Sequence, residues 1–191
     1  MLAGLACGAP GETFAQTAAQ FDWRDITYAD LRLPNEAARS YAEIWADRLN
    51  ENNAHYARSG DTRFAAGNAP AVASAFVVRS PTRIVVLSVF NAVSACKTVR
   101  HDERHKVTVK RCPMRLAIYD QSQGGGAGSV LDAGKGCFLE FGDPRRAFTS
   151  DREAGSYAAY DLATRTIRTG LVIGGQAVAG CDLVIPIPRG S

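Results

Sequence analysis

The sequence predicts a mainly β fold of the α+β class: an antiparallel β-sandwich or barrel that carries one N-terminal α-helix. Apolar residues recur at helical spacing only before residue 57, and after residue 70 they recur closer to every second residue, as in a strand. About eight strand candidates then follow without alternating helices. The 191 residues are 46% apolar and 21% charged, which excludes a collagen, a coiled coil and a wholly disordered chain.

Residues 1–15 are small and apolar, and we interpret them as the remnant of an export signal or a disordered leader. Thr13–Ala15 supplies small residues of the kind found at a cleavage site, although a basic start is missing. A lipid anchor at Cys7 and a flexible leader on a cytoplasmic protein are the alternatives. The last residues, 188–191, resemble a tag remnant, which leaves 16–187 as a single globular domain. No apolar run approaches the roughly 18 residues of a membrane span.

One helix is predicted over residues 34–50. Pro34 and Glu36 suit its first turn. Five apolar residues share one helical face, which we interpret as core packing: Ala37, Tyr41, Ile44, Trp45 and Leu49. The three asparagines at 50, 52 and 53 should end the helix, and a polar loop should cover residues 57–70.

The β-rich region extends over residues 71–187. The predicted strands are Val72–Arg79, Arg83–Val93, Val107–Cys112, Arg115–Tyr119, Cys137–Phe141, a hairpin over Tyr157–Ile173 and a final strand within Ala177–Ile185. Ser80–Thr82 should connect the first two strands, and Asp161 should start the turn of the later hairpin. Pro113 should lie at a bulge or an edge. Gln121–Gly136 holds six glycines and is predicted to be a flexible loop or a hairpin tip.

Four of the five cysteines lie at or beside these strands, namely Cys96, Cys112, Cys137 and Cys181. Their spacings of 16, 25 and 44 residues do not match a zinc site, and four cysteines allow three pairings. We favour Cys96–Cys112 and Cys137–Cys181. Disulfides persist in oxidising compartments, so the pattern predicts a periplasmic or secreted protein. Four buried free thiols in a cytosolic core are the alternative.

The basic excess of the chain is concentrated in residues 97–111, where six cations face two acids. This segment therefore carries +4, and the rest of the chain carries −1 because the whole carries +3. If Cys96 and Cys112 are bonded, the segment is a stapled basic hairpin that would attract an anionic partner. The predicted binding residues are Lys97, Arg100, His101, Arg104, His105, Lys106, Lys110 and Arg111.

The expected partner is a protein or an anionic envelope polymer, such as lipopolysaccharide or a teichoic-type polymer. Nucleic acid is disfavoured because the segment has no Phe, Tyr or Trp to stack on bases. The alternative interpretation is a solvated hairpin whose charges protect a sheet edge from aggregation. The oligomeric state is left open.

No motif fixes a reaction, and we predict no catalytic residue, no cofactor and no metal site. The Gly-x-Ser-x-Gly motif is absent, and Gly134-Lys135-Gly136 lacks the Ser or Thr of a phosphate loop. The predicted function is therefore non-enzymatic binding, as an inhibitor, an immunity-type protein or an accessory of envelope assembly. The alternative is an envelope hydrolase that uses His101 or His105 with a metal or with Cys112.

Overall fold

The computed structural model describes residues 23–60, 68–121, 128–148 and 153–188. The predicted leader, and the predicted tag remnant apart from Pro188, lie outside these residues. The helices are α1 (Glu36–Ile44) and α2 (Ala46–Ser59), and a 3-10 helix covers Pro144–Phe148. The strands are β1 (Arg24–Asp25), β2 (Thr27–Asp30), β3 (Val72–Arg79), β4 (Arg83–Asn91), β5 (Lys97–Asp102), β6 (Val107–Asp120), β7 (Ser129–Phe141), β8 (Ala154–Asp161), β9 (Thr166–Ile173), β10 (Gln176–Ala177) and β11 (Leu183–Pro186).

The strands form two antiparallel sheets, which confirms the predicted α+β sandwich. In the larger sheet the order is β2, β3, β4, β6, and β7 pairs with the other edge of β6. Strands β4 and β5 run in the same direction along one edge of β6, with residues 92–96 between them. The smaller sheet has the order β1, β8, β9, and both β10 and β11 pair with β9.

The sandwich is closed by the chain at one edge and by a disulfide at the other. Strands β1 and β2 are nearly continuous, so the chain passes between the sheets at Ile26, whose N–H donates to Ser156 O at 2.9 Å. At the opposite edge, the Cys137–Cys181 disulfide joins β7 to the segment that precedes β11. The two sheets therefore cannot separate without breaking one of these connections.

The larger sheet is covered on both faces. Leu87, Met114 and Ile167 belong to the core between the sheets, and Trp45 packs with Phe90 on the helix-covered face. The rings of Trp45 and Phe90 stack with centroids 5.2 Å apart. Because both faces are covered, β4 is buried continuously from residue 85 to residue 91, and its sequence is mostly apolar there, with Ser88 and Asn91 as the polar exceptions, instead of alternating.

The predicted helix over 34–50 is wrong in its extent. Asn35 is the N-cap of α1, and the helix breaks at Trp45 before α2 continues to Ser59. The asparagines do not end it, because the amides of Asn52 and Asn53 bond to other parts of the chain and do not compete for the helix backbone. Asn52 is fully buried, donates to Pro70 O at 3.2 Å and accepts from Ser94 Oγ at 2.9 Å.

The prediction of a flexible loop or a hairpin tip over Gln121–Gly136 is wrong for residues 129–136. Ser129–Gly136 belongs to β7 and pairs with β6, while residues 122–127 lie outside the described residues. Pairing with a central strand supplies the ladder that glycine-rich sequence alone does not favour. The Pro113 prediction is confirmed, because the β6–β7 register shifts between Pro113 and Arg115.

Two further predictions concern the C-terminal strands. Asp161 starts the β8–β9 turn as expected, since its Oδ1 accepts from Ala163 N at 2.8 Å. The predicted final strand within Ala177–Ile185 is two short strands, β10 and β11, separated by residues 178–182.

Candidate functional site

The basic segment 97–111, hereafter the basic hairpin, consists of β5, a four-residue turn and the start of β6. The strands pair from Lys97 opposite Arg111 to Asp102 opposite Val107. Asp102 Oδ1 accepts from His105 N at 3.1 Å and so closes the turn, in which Lys106 has a φ of 55°. The Cys96–Cys112 disulfide lies at the opposite end, as predicted. The basic hairpin is therefore clamped at its turn and at its base.

The turn of the basic hairpin is also attached to the segment that follows β7. Arg146 Nη1 donates to His105 O at 2.8 Å, and its guanidinium lies over the Phe141 ring at 5.4 Å from the centroid. Gly142 N donates to Lys106 O at 2.8 Å. These contacts hold the turn in one orientation, so its charges are presented on a fixed surface.

Four of the predicted cations are exposed on this surface. The side chains of Lys97 and Arg104 form no ion pair with another described residue. Arg100 pairs with Asp102 at 3.0 Å, and Lys106 lies 3.4 Å from Glu103. Both of these acids belong to the basic hairpin and are already included in its charge of +4, so these pairs leave the excess unchanged.

The last two predicted cations are directed to the rest of the protein. Lys110 Nζ lies 2.5 Å from Glu140 Oε1 on β7, and only 17% of its side chain is exposed. Arg111 Nη2 donates to Gly180 O at 2.9 Å. Glu140 therefore offsets one positive charge of the basic hairpin, and Lys110 contributes little to an exposed surface.

The two histidines have different partners. His101 Nδ1 lies 2.8 Å from Thr108 Oγ1, and its Nε2 lies 3.1 Å from Glu103 Oε1. His105 Nδ1 lies 2.9 Å from Asp102 Oδ1. The N–H of the His105 backbone, followed by the His105 ring, lowers the pKa of Asp102 below its usual range. His105 is the more enclosed of the two, with 14% of its side chain exposed against 51% for His101.

Neither group required by the hydrolase alternative is present in the described residues. Cys112 is fully buried and disulfide-bonded, so its sulfur is not a free thiol. No group of three or more His, Cys, Asp or Glu side chains that could hold a metal occurs among residues 23–60, 68–121, 128–148 and 153–188.

The structure also brings together a cleft that sequence reasoning missed. It has a volume of about 600 Å³ and lies between the turn of the basic hairpin and the β9–β10 turn. Arg100, Arg104 and His105 line it from the hairpin, and Glu153 and the Gly174–Gln176 turn line it from the smaller sheet. The pair Gly174-Gly175 signals a turn in the sequence, but nothing in it indicates that this turn faces a histidine 69 residues away.

A second groove, of about 470 Å³, runs along α1 on the outer face of the larger sheet. Its lining includes Glu36 and Glu43 from α1, together with apolar and aromatic side chains such as Val77 and Tyr119. This lining has two carboxylates and one cation, Arg79, whereas the cleft of the basic hairpin has two arginines and a histidine beside two carboxylates, so the candidate site for an anionic partner is the basic hairpin with its cleft.

Sequence reasoning took the Ser-x-x-Lys motif of some hydrolases to be absent, which is wrong, because Ser94 and Lys97 have its spacing. Ser94 lies in the connection between β4 and β5 and donates from Oγ to Asn52 Oδ1 at 2.9 Å. Lys97 begins β5 and is exposed. The hydroxyl is therefore committed to holding α2, and this pair does not form a catalytic site in the structure.

Comparison with known proteins gives no relative for this chain. No family model matches it, and neither the curated proteins nor the solved structures yield a match. Neither described helix is long and apolar enough to cross a membrane. Two disulfides are typical of proteins in oxidising compartments and are compatible with a periplasmic or extracellular location.

Proposed function

We propose that this chain is a secreted or periplasmic binding protein that recognises an anionic partner through the basic hairpin, without bond chemistry. One observation carries the proposal: four cations are exposed on a hairpin that a disulfide and the contacts of Arg146 hold in a fixed orientation. A hairpin whose backbone is already ordered adds little cost of loop ordering on binding, and its clustered charges speed encounter at low salt.

An anionic envelope polymer or an acidic protein surface fits this hairpin better than nucleic acid. No Phe, Tyr or Trp is available within residues 97–111 for stacking on bases. An inhibitor, an immunity-type protein and an accessory of envelope assembly would all act by covering a partner's surface. The shared mechanism is occlusion with charge complementarity.

The test uses two probes, purified lipopolysaccharide and poly-L-glutamate, immobilised for binding measurements at low and high ionic strength. The test variant replaces the four exposed hairpin cations by Gln: Lys97, Arg100, Arg104 and Lys106. The control replaces four exposed cations elsewhere, with the same change in net charge: Arg39, Arg58, Arg79 and Lys135.

We expect the hairpin variant to lose about tenfold or more in affinity for at least one probe, and its remaining binding to depend less on salt. The control should lose much less, because its cations are dispersed over the surface. Equal losses in the two variants would mean that only net charge matters, and would remove the basic hairpin from the mechanism.

A second candidate function is hydrolysis in the cleft. It is favoured by the Asp102–His105 contact, which orients an imidazole ring, the usual acid–base group of enzymes, in a cleft that Glu153 also lines. Products released from purified peptidoglycan or lipopolysaccharide, measured by mass spectrometry, would support this function. They should disappear with His105→Gln and persist with His101→Gln.

A further inference from the structure

The cleft beside the basic hairpin has the size and the donors of a small-molecule site. Its volume of about 600 Å³ falls within the range of roughly 300–1,000 Å³ that is usual for ligand sites. Arg100 and Arg104 both line it. Arg100 uses one terminal nitrogen on Asp102, and Arg104 has no ion pair with another described residue. Guanidinium groups present several N–H donors in a planar fork, which matches the oxygens of a phosphate group.

His105 adds an oriented imidazole ring to the same cleft. Asp102 Oδ1 accepts from the His105 backbone N–H and contacts Nδ1, which fixes the orientation of the ring. A Cβ placed on Gly174 would lie 2.9 Å from Cε1 and 3.0 Å from Nε2, so this edge of the ring packs directly against the β9–β10 turn. The ring therefore connects the basic hairpin to the smaller sheet beside the two guanidiniums.

The glycine turn keeps the opposite wall open. Gly174 and Gly175 have φ values of 60° and 73°, a region that favours glycine, and neither places a side chain in the cleft. A Cβ on Gly175 would meet no atom within 4 Å. A ligand can therefore approach the backbone closely at this turn.

Two carboxylates limit which ligands fit. Asp102 is already bonded to Arg100 and His105. Glu153 lines the cleft as well, and a carboxylate accepts hydrogen bonds from hydroxyl groups. The lining therefore suits an oxyanion that is attached to a scaffold bearing hydroxyls.

We propose that the cleft lined by Arg100, Arg104, His105, Glu153 and the Gly174–Gly175 turn binds a phosphorylated sugar. The phosphate lies against the two guanidiniums and His105, and a sugar hydroxyl donates to Glu153. This inference rests on the proposed function and deepens it, because it names the chemical group of an anionic envelope polymer that the basic hairpin would recognise.

The test is an NMR titration of backbone amides with glucose 1-phosphate, with inorganic phosphate and glucose as separate arms. Saturable shifts are expected at residues 105 and 174–176. Inorganic phosphate should bind more weakly, and glucose should not bind. If inorganic phosphate binds as tightly as the sugar phosphate, the role of Glu153 and of the sugar is overturned.

Gly175 offers a matched pair of variants for this test. Asp and Asn have nearly the same shape and both tolerate a positive φ, so Gly175→Asp and Gly175→Asn differ mainly by one negative charge in the cleft. We expect Gly175→Asp to bind glucose 1-phosphate about tenfold or more weakly than Gly175→Asn, whose side chain occupies the same space without the charge. Equal binding by both variants would overturn the cleft as the phosphate site.

The double variant Lys97→Gln/Lys106→Gln separates this inference from the proposed function, because neither lysine lines the cleft. It should weaken capture of lipopolysaccharide but leave glucose 1-phosphate binding within about twofold. Unchanged capture of both polymer probes would count against the proposed function alone. Shifts confined to residues 97 and 106 would refute the cleft alone.

Discussion

Replacing both cysteines of one disulfide by alanine measures how much each disulfide stabilises the fold. Cys96–Cys112 closes a loop of 16 residues and Cys137–Cys181 one of 44. In the chain-entropy treatment, these loops correspond to about 3 and about 4 kcal/mol of stability at 25 °C, a difference of about 0.9 kcal/mol. The pair that closes the sandwich edge should therefore matter more than the pair at the base of the basic hairpin.

Loss of packing does not obscure this comparison. Each disulfide has one buried partner, Cys112 or Cys181, and one partly exposed partner, Cys96 or Cys137. Removing two sulfur atoms should therefore cost a similar amount in both double variants, and the difference between them reflects mainly the loop lengths.

The assay is equilibrium unfolding in urea, followed by the fluorescence of the buried Trp45 and by circular dichroism. Wild-type protein unfolded with a reductant is the control that loses both bonds, and its midpoint should lie below that of either variant. A larger loss in Cys96→Ala/Cys112→Ala would refute the loop-length reasoning. It would show that the bond at the base of the basic hairpin acts on the native state.

Two further predictions concern the helix layer and the cleft. Arg115 Nη1 donates to Ile44 O at 2.7 Å, and the Arg115 side chain lowers the pKa of Asp47 to about 2. Arg115→Met should therefore lower the free energy of unfolding by about 1–2 kcal/mol at neutral pH. The part of this loss that is due to the ion pair with exposed Asp47 is about 1 kcal/mol or less, and it should disappear as pH falls from about 4 to about 2. Urea unfolding across that pH range measures both effects. In the same assay, Gly174→Ala should lower stability more than Gly175→Ala. Both variants incur the penalty of about 1–2 kcal/mol for a positive φ, but only the Cβ at residue 174 would lie 2.9 Å from the His105 ring. Equal losses of stability would contradict that contact.

The elements that sequence reasoning predicted well depend on local signals. β3 and β4 are rich in β-branched residues, and the Ser80–Thr82 connection between them has the composition of a turn. The Cys96–Cys112 pairing follows from a spacing that suits a hairpin. In each case the residues that determine the structure lie within about 20 positions, where periodicity and turn chemistry are informative.

The elements that it predicted poorly depend on distant partners. Asn52 would disfavour a helix by propensity, but its amide bonds to Pro70 and Ser94, and the helix continues to Ser59. The composition of Ser129–Gly136 favours a loop, but the segment pairs with β6 and forms part of a strand. Tertiary contacts outweigh propensities of about 1 kcal/mol or less per residue, and a single sequence does not display them.

Dependence on distant partners also limits what the sequence reveals about the basic hairpin and its cleft. A count of charges treats Lys110 as equivalent to Lys97, yet Glu140, 30 residues away, pairs with Lys110 only because β7 lies beside β6. The cleft depends on a glycine turn that the smaller sheet brings to His105. Charge patterns in a sequence thus locate a candidate surface, but the fold decides which charges it exposes.

The contacts of the basic hairpin with the segment after β7 link recognition to the integrity of the sandwich. Arg146 and Gly142 hold the turn, and both follow the strand that Cys137 ties to the smaller sheet. The opposite wall of the cleft, at Gly174, belongs to that smaller sheet. The Cys137–Cys181 bond therefore joins the two sheets that carry the two walls, although it touches neither wall. In Cys137→Ala/Cys181→Ala, the two walls of the cleft should therefore move relative to each other at urea concentrations too low to unfold the protein. The affinity for a sugar phosphate should fall at urea concentrations at which the fluorescence of Trp45 is still that of the native protein.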